Sequence, residues 1–93
     1  MIAIAVDDEP LMLGALVKAI KASPDITTVT HFTSCEEALE FIKDNPADIA
    51  FLDINMRGMG GLSLAEKIIS FCPDFRTVFC TGYEAYAILA FRL

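Results

Sequence analysis

The feature that most restricts the fold of this chain is an alternation of two hydrophobic periods: short continuous apolar runs recur, and each is followed by apolar residues at helical spacing. Ile2-Ala-Ile-Ala-Val6 reads as a buried strand ending in the acidic Asp7-Asp8-Glu9. Pro10 then opens a helix from Leu11 to Ala22, with Leu13, Leu16, Val17 and Ile20 on one face and Ser23-Pro24-Asp25 closing it. Ile26 to Phe32 alternates threonine with apolar residues and is β-branched, which predicts a strand near a sheet edge. Thr33 or Ser34 can cap the next helix; Glu36 and Glu37 sit in its first turn, Ala38, Leu39 and Ile42 point inward, and Asn45-Pro46 stops it. Asp48-Ile-Ala-Phe-Leu52 predicts a third strand that ends at Asp53, followed by a glycine-rich turn, Arg57-Gly-Met-Gly-Gly61. Leu62 to Phe71 predicts a helix with Leu62, Ala65, Ile68 and Ile69 inward. Arg76-Thr-Val-Phe-Cys80 predicts a fourth strand, and Tyr83 to the end a last apolar helix.

Strands alternating with helices dictate an α/β fold: a doubly wound parallel sheet with right-handed crossovers and helices on both faces. The 93 residues make a single domain, 1–93, and exclude a two-domain enzyme; with 55% hydrophobic residues the chain has material for a core. Seven Lys and Arg stand against 13 Asp and Glu, a net charge of −6, and no basic patch is interleaved with aromatics. Direct contact with nucleic acid is therefore not expected. The longest apolar run, Ala85 to Phe91, is too short to span a bilayer, and no positive segment leads the first residues, so the expectation is a cytoplasmic protein with no membrane partner. Cys35, Cys72 and Cys80 have no C-x-x-C spacing and read as reduced structural thiols. His31, the one histidine, falls at the end of an edge strand without a second ligand nearby and reads as surface polar.

On sheets of this kind ligands sit at the C-terminal ends of the strands, which directs attention to Asp7-Asp8-Glu9, Asp53 and Thr81. If the first and third strands are neighbours, three aspartates converge, and like charges that close push a pKa upward unless a cation is present. An all-oxygen ligand set suits Mg²⁺, with Asp8 and Asp53 as direct ligands. The same ion would neutralise a transferring phosphoryl group, with the Asp53 carboxylate as nucleophile and the Thr81 hydroxyl on a phosphoryl oxygen. Each signal has a plain alternative: acidic residues favour any helix N-terminus, and Thr81-Gly82 can simply start a helix.

Taken together, Asp7-Asp8-Glu9-Pro10, Leu52-Asp53-Ile54-Asn55-Met56 with Gly61-Leu62, and Thr81-Gly82-Tyr83 resemble the receiver domain of two-component response regulators, over the whole chain. The resemblance implies a flavodoxin-like strand order, with Asp53 as phosphoacceptor. It also implies Mg²⁺ held directly by Asp8, through water by Asp7, and by the backbone carbonyl of Asn55. Thr81 becomes the switch hydroxyl, and the phosphodonor a sensor histidine kinase. Tyr83-Glu-Ala-Tyr-Ala-Ile-Leu-Ala-Phe91 is most similar to receivers that precede LytTR-type DNA-binding domains, and Tyr83 or Tyr86 is then a candidate aromatic switch, with core or partner packing the alternative for Tyr86. Three departures stand out. Arg57 replaces the family's usual proline and Gly60 its frequent aspartate, both loosening the turn. Beyond the fourth strand, the family's fifth strand and helix, about 25 residues with the lysine that pairs with the phosphoryl group, have no counterpart before Leu93. Lys18, Lys21, Lys43 and Lys67 all fall on predicted helices.

The expectation is therefore a C-terminally truncated receiver, four strands present and the fifth βα unit missing. It is a phosphoacceptor signalling domain, modifying at most its own Asp53, and not an enzyme. The competing reading is a receiver-fold interaction or dimerisation module without phosphotransfer. A metal-dependent phosphohydrolase fits less well, because Asn55 stands where a general acid would be wanted. An exposed fourth-strand edge and an apolar final helix would together favour a homodimer.

Overall fold

The computed structural model describes residues 1–54, 56, 58–81 and 84–91, with Thr81 and 84–91 as backbone only. Each expected element before Tyr83 forms: β1 (Ile2–Val6), α1 (Pro10–Lys21), β2 (Thr28–Phe32), α2 (Cys35–Asp44), β3 (Ile49–Asp53), α3 (Gly61–Phe71) and β4 (Arg76–Thr81). Local chemistry accounts for the boundaries. Pro10 occupies the first turn of α1, where its missing N–H costs nothing, and the Ser34 hydroxyl caps α2 by accepting from the Glu37 N–H at 3.3 Å.

These four strands are parallel in the order β2-β1-β3-β4, the doubly wound, flavodoxin-like arrangement. Asp48 locks the register of the three inner strands at the end far from Asp7. Its carboxylate accepts from the Ile2 N–H at 2.8 Å, its own N–H donates to the Ile2 carbonyl at 2.8 Å, and its carbonyl accepts from the Arg76 N–H at 3.1 Å. Strand alternation then divides the core. Ala3 and Ala5 of β1, with Ile49, Val78 and Cys80, pack under Leu13, Leu16 and Ile20 of α1. Ile4 and Val6, with Ala50, Leu52 and Phe79, pack against α2 and α3 on the opposite face.

Leu62, expected inward, is instead 49% exposed, and Leu64 is fully buried in its place. The helix begins one residue earlier than expected, at Gly61, and Gly61, Leu64, Ala65 and Ile68 form its buried stripe at the i, i+3, i+4, i+7 spacing.

The larger difference is at the end of the chain. The segment expected as an apolar helix is a strand, β5 (Glu84–Phe91), antiparallel to β4, with Thr77 opposite Phe91, Cys80 opposite Ile88 and an irregularity between Cys80 and Thr81. A short apolar run fits helix and strand templates alike, and the unpaired N–H and C=O groups of β4 decide between them. The sheet therefore has a fifth strand, antiparallel to its neighbour rather than the parallel strand of a βα unit, and β4 is an inner strand. A free β4 edge and a final helix, the two surfaces behind the homodimer expectation, are replaced by a paired strand and its partner. Among the described residues no helix is long and apolar enough to cross a membrane.

One side chain in β4 is poorly served. Thr77 is 2% exposed, and its hydroxyl has no hydrogen-bond partner. A buried unpaired hydroxyl costs about 1 kcal/mol or more, so Thr77→Val is expected to raise unfolding stability by about 1 kcal/mol in urea titrations. Unchanged or lower stability would mean that the hydroxyl is satisfied in solution.

Candidate functional site

Because β1 and β3 are neighbours with Val6 opposite Leu52, the next residue of each, Asp7 just past β1 and Asp53 at the end of β3, stands at the same level of the sheet. Asp8 follows in the turn before α1. One carboxylate oxygen from each of Asp7, Asp8 and Asp53 lies within 4.8 Å of the other two. The sequence named these three, and the parallel register brings them together at the C-terminal strand ends.

Asp7 is 6% exposed, whereas Asp8 and Asp53 are half-buried. Burial pushes the Asp7 carboxyl above the usual carboxylate range, the Glu9 N–H donating to its Oδ1 at 2.9 Å opposes this, and the charges of Asp53, Asp8 and Glu9 raise it further. The field of the cluster reaches the neighbouring thiols. Burial, followed by the charges of Asp53 and Asp7, pushes Cys80 up to about 11. Cys35 is likewise pushed up to about 11 by burial, with Glu36, Asp8 and Asp53 adding to it. Both cysteines are buried, unreactive thiols, as the sequence suggested. Three converging carboxylates, one held above its usual pKa, are a donor set that suits a hard divalent cation: all ligand atoms are oxygen, and the ion would relieve the repulsion. The residues fit Mg²⁺.

The connection from Asp53 to α3 doubles back tightly onto the phosphoacceptor candidate. A Cβ at Gly61 would stand 2.3 Å from the Asp53 carbonyl oxygen, and one at Gly60 would stand 3.6 Å from that of Ile54. Gly61 is thus required by close approach to the backbone of Asp53, a role the sequence reading did not assign. Gly60, where the family resemblance calls for aspartate, leaves α3 without a side-chain cap.

The remaining candidates are placed less fully. The backbone of Thr81 ends β4, one residue beyond Cys80, which is the register partner of Asp53. Asn55 and Tyr83 lie outside the described residues, and Tyr86 lies on the backbone of β5. His31 is exposed on β2, as expected. All four lysines lie on helices: Lys18 and Lys21 on α1, Lys43 on α2 in an exposed pair with Glu40, and Lys67 on α3.

A doubly wound α/β domain with three carboxylates clustered at the ends of β1 and β3 is the class this geometry defines. The sequence model of the response regulator receiver domain matches residues 3–92, and the chain belongs to that family. It is 38% identical over 88 residues to the sensory transduction protein LytT of Enterococcus faecalis, covering 95% of this chain and 36% of that protein. It is 36% identical to LytR of Staphylococcus epidermidis, covering 100% and 37%. The chain thus spans a little over a third of the length of these curated relatives. Among solved structures, the response regulatory domain of mrkE from Klebsiella pneumoniae matches with TM-score 0.79 and 32% identity, over 90% of this chain and 69% of that one. The response regulator TrrA from Thermotoga maritima, solved with Mg²⁺ and BeF, matches with TM-score 0.79 and 28% identity, over 91% and 72%.

Gly61→Ala is expected to lower stability by about 1–3 kcal/mol, because the added methyl meets backbone that cannot yield without moving Asp53. A parallel loss of Mg²⁺ affinity in calorimetry should accompany it. An alanine variant with native stability and native metal binding would show that the connection is not tight.

Proposed function

We propose that this receiver domain accepts a phosphoryl group on Asp53, with Mg²⁺ held by Asp7, Asp8 and Asp53, and that a sensor histidine kinase is the donor. The observation that carries the proposal is the convergence of the three carboxylates at the ends of β1 and β3, in a chain that belongs to the receiver family. Bound there, Mg²⁺ supplies charge neutralisation for the phosphoryl oxygens. An Asp53 carboxylate oxygen forms the new P–O bond as the P–N bond of the donor phosphohistidine breaks, and the imidazole leaves with the bonding pair. Asp7 holds its place through the bond from the Glu9 N–H, and Gly61 lets the backbone after Asp53 fold close to it. By resemblance, the Asn55 carbonyl completes the metal ligands and the Thr81 hydroxyl meets the phosphoryl group. Only Asp53 itself is modified, so the chemistry is a switch and not turnover of a separate substrate.

A second reading, a receiver-fold interaction module without phosphotransfer, is favoured by one observation. Every lysine lies on a helix, and none stands at a strand end where it could pair with the phosphoryl group. Intact-mass spectrometry after incubation with acetyl phosphate and Mg²⁺ separates the two. The first reading predicts the added mass of one phosphoryl group, absent without Mg²⁺ and absent in Asp53→Asn. An unlabelled chain, under conditions that label an ordinary receiver, would leave the interaction module as the function.

A further inference from the structure

The outward face of α1 carries a cost that nothing inside the chain requires. Leu13, Leu16 and Ile20 bury one side of this helix, and its periodicity puts Leu11, Gly14, Ala15 and Lys18 on the opposite side, all four exposed. Leu11 is 83% exposed, well above any other large hydrophobic side chain among the described residues. Gly14 stands inside the helix, where glycine is unfavourable relative to alanine. Its φ is not positive, and a Cβ there would meet no atom within 4 Å. Neither backbone conformation nor crowding within the chain accounts for it, in contrast to Gly61. Beside it, between α1 and the end of β2, an apolar groove of about 310 Å³ is lined by Pro10, Leu13, Gly14, Val17, His31 and Thr33. An exposed leucine, a stretch of helix surface without a side chain and an adjoining groove together suit the close approach of another helix.

We propose that the occupant is a second copy of this chain, α1 against α1 in antiparallel, with Gly14 and Ala15 at the crossing and Leu11 of each copy packed on Gly14 and the Lys18 stem of the other. The charges around the helix select this arrangement. Glu9, exposed, stands at its start, and Lys18 and Lys21, also exposed, stand in its last turn. An antiparallel pair with its two-fold axis beside Gly14 and Ala15 places Glu9 of each copy by the two lysines of the other and opposes the helix dipoles favourably. A parallel pair would set lysine against lysine and Glu9 against Glu9. Exposed ion pairs are individually weak, so the charges set the orientation, and the apolar contact of Leu11 with the groove side of α1 supplies the affinity. A helix of 12 residues is about 18 Å long, so the interface is small and the dimer belongs to the weak, reversible class. The inference does not depend on phosphoryl transfer or on Mg²⁺.

The test is sedimentation equilibrium of the 93-residue chain and its variants from about 1 to 500 μM, with folding checked by circular dichroism. The parent is expected to dimerise reversibly with a Kd of about 10–100 μM. Gly14→Leu, whose added side chain enters open space on its own chain, and Leu11→Gln should each raise the Kd by about tenfold or more while the helix stays folded. Glu9→Lys, and separately Lys18→Glu with Lys21→Glu, should each raise it by about two- to fivefold. An equimolar mixture of these two charge variants should recover the parent's association, because each then meets the opposite sign. A parent monomeric over the whole range would overturn the inference, as would a dimer untouched by Gly14→Leu and Leu11→Gln. A mixture that associates no better than its components would overturn the antiparallel arrangement. Binding of a histidine kinase's helical domain at α1, by a parent that stays monomeric, would overturn the inference in favour of that partner. The proposed function is tested separately and survives each of these outcomes.

Discussion

The parallel register of β1 and β3 is the constraint on which the rest depends. Val6 opposite Leu52 leaves no choice about where Asp7 and Asp53 emerge, and a one-residue slip would both reverse the buried faces of a strand and separate the carboxylates. Asp48, at the entry to β3, guards that register from the opposite end of the sheet by bonding Ile2 of β1 through both side chain and backbone. The fold thereby imposes an electrostatic cost at one edge, visible as an Asp7 carboxyl raised by burial and by its acidic neighbours. That unfavourable placement is what a divalent cation at this edge would relieve.

Much of this was legible in the sequence because it depends on local periodicity. Continuous apolar runs such as Ile2 to Val6 and amphipathic segments such as Leu11 to Ala22 each carry their own period, and their alternation leaves one sensible topology. The aspartates were legible for a related reason: strand ends are marked by the first charged residue after the run. What stayed hidden depends on partners distant in sequence. The segment Glu84–Phe91 has no periodicity that separates helix from strand, and the unpaired outer side of β4 determines its state. Leu62 and Leu64 exchanged roles because the buried stripe of α3 is set by Gly61 pressing on Asp53, a contact no local pattern reports.

Glu36 illustrates the same limit at the site. In sequence it is one of two acids at a helix start, indistinguishable from Glu37, and only the approach of Gly58 to its carboxylate separates them. Gly60, read as loosening the turn after Asp53, is followed by Gly61, whose backbone lies against the Asp53 carbonyl, a contact no local pattern announces; Arg57 lies outside the described residues.

The central claim is that Asp7, Asp8 and Asp53 act as one cation site, and the most direct measurement is Mg²⁺ binding to the parent chain and to Asp53→Ala by titration calorimetry. Saturable binding of one Mg²⁺ per chain is expected, weakened by about tenfold or more when the Asp53 carboxylate is removed. Unchanged affinity in Asp53→Ala would contradict the claim, because the ion would then be bound without the residue that the register of β1 and β3 brings to it.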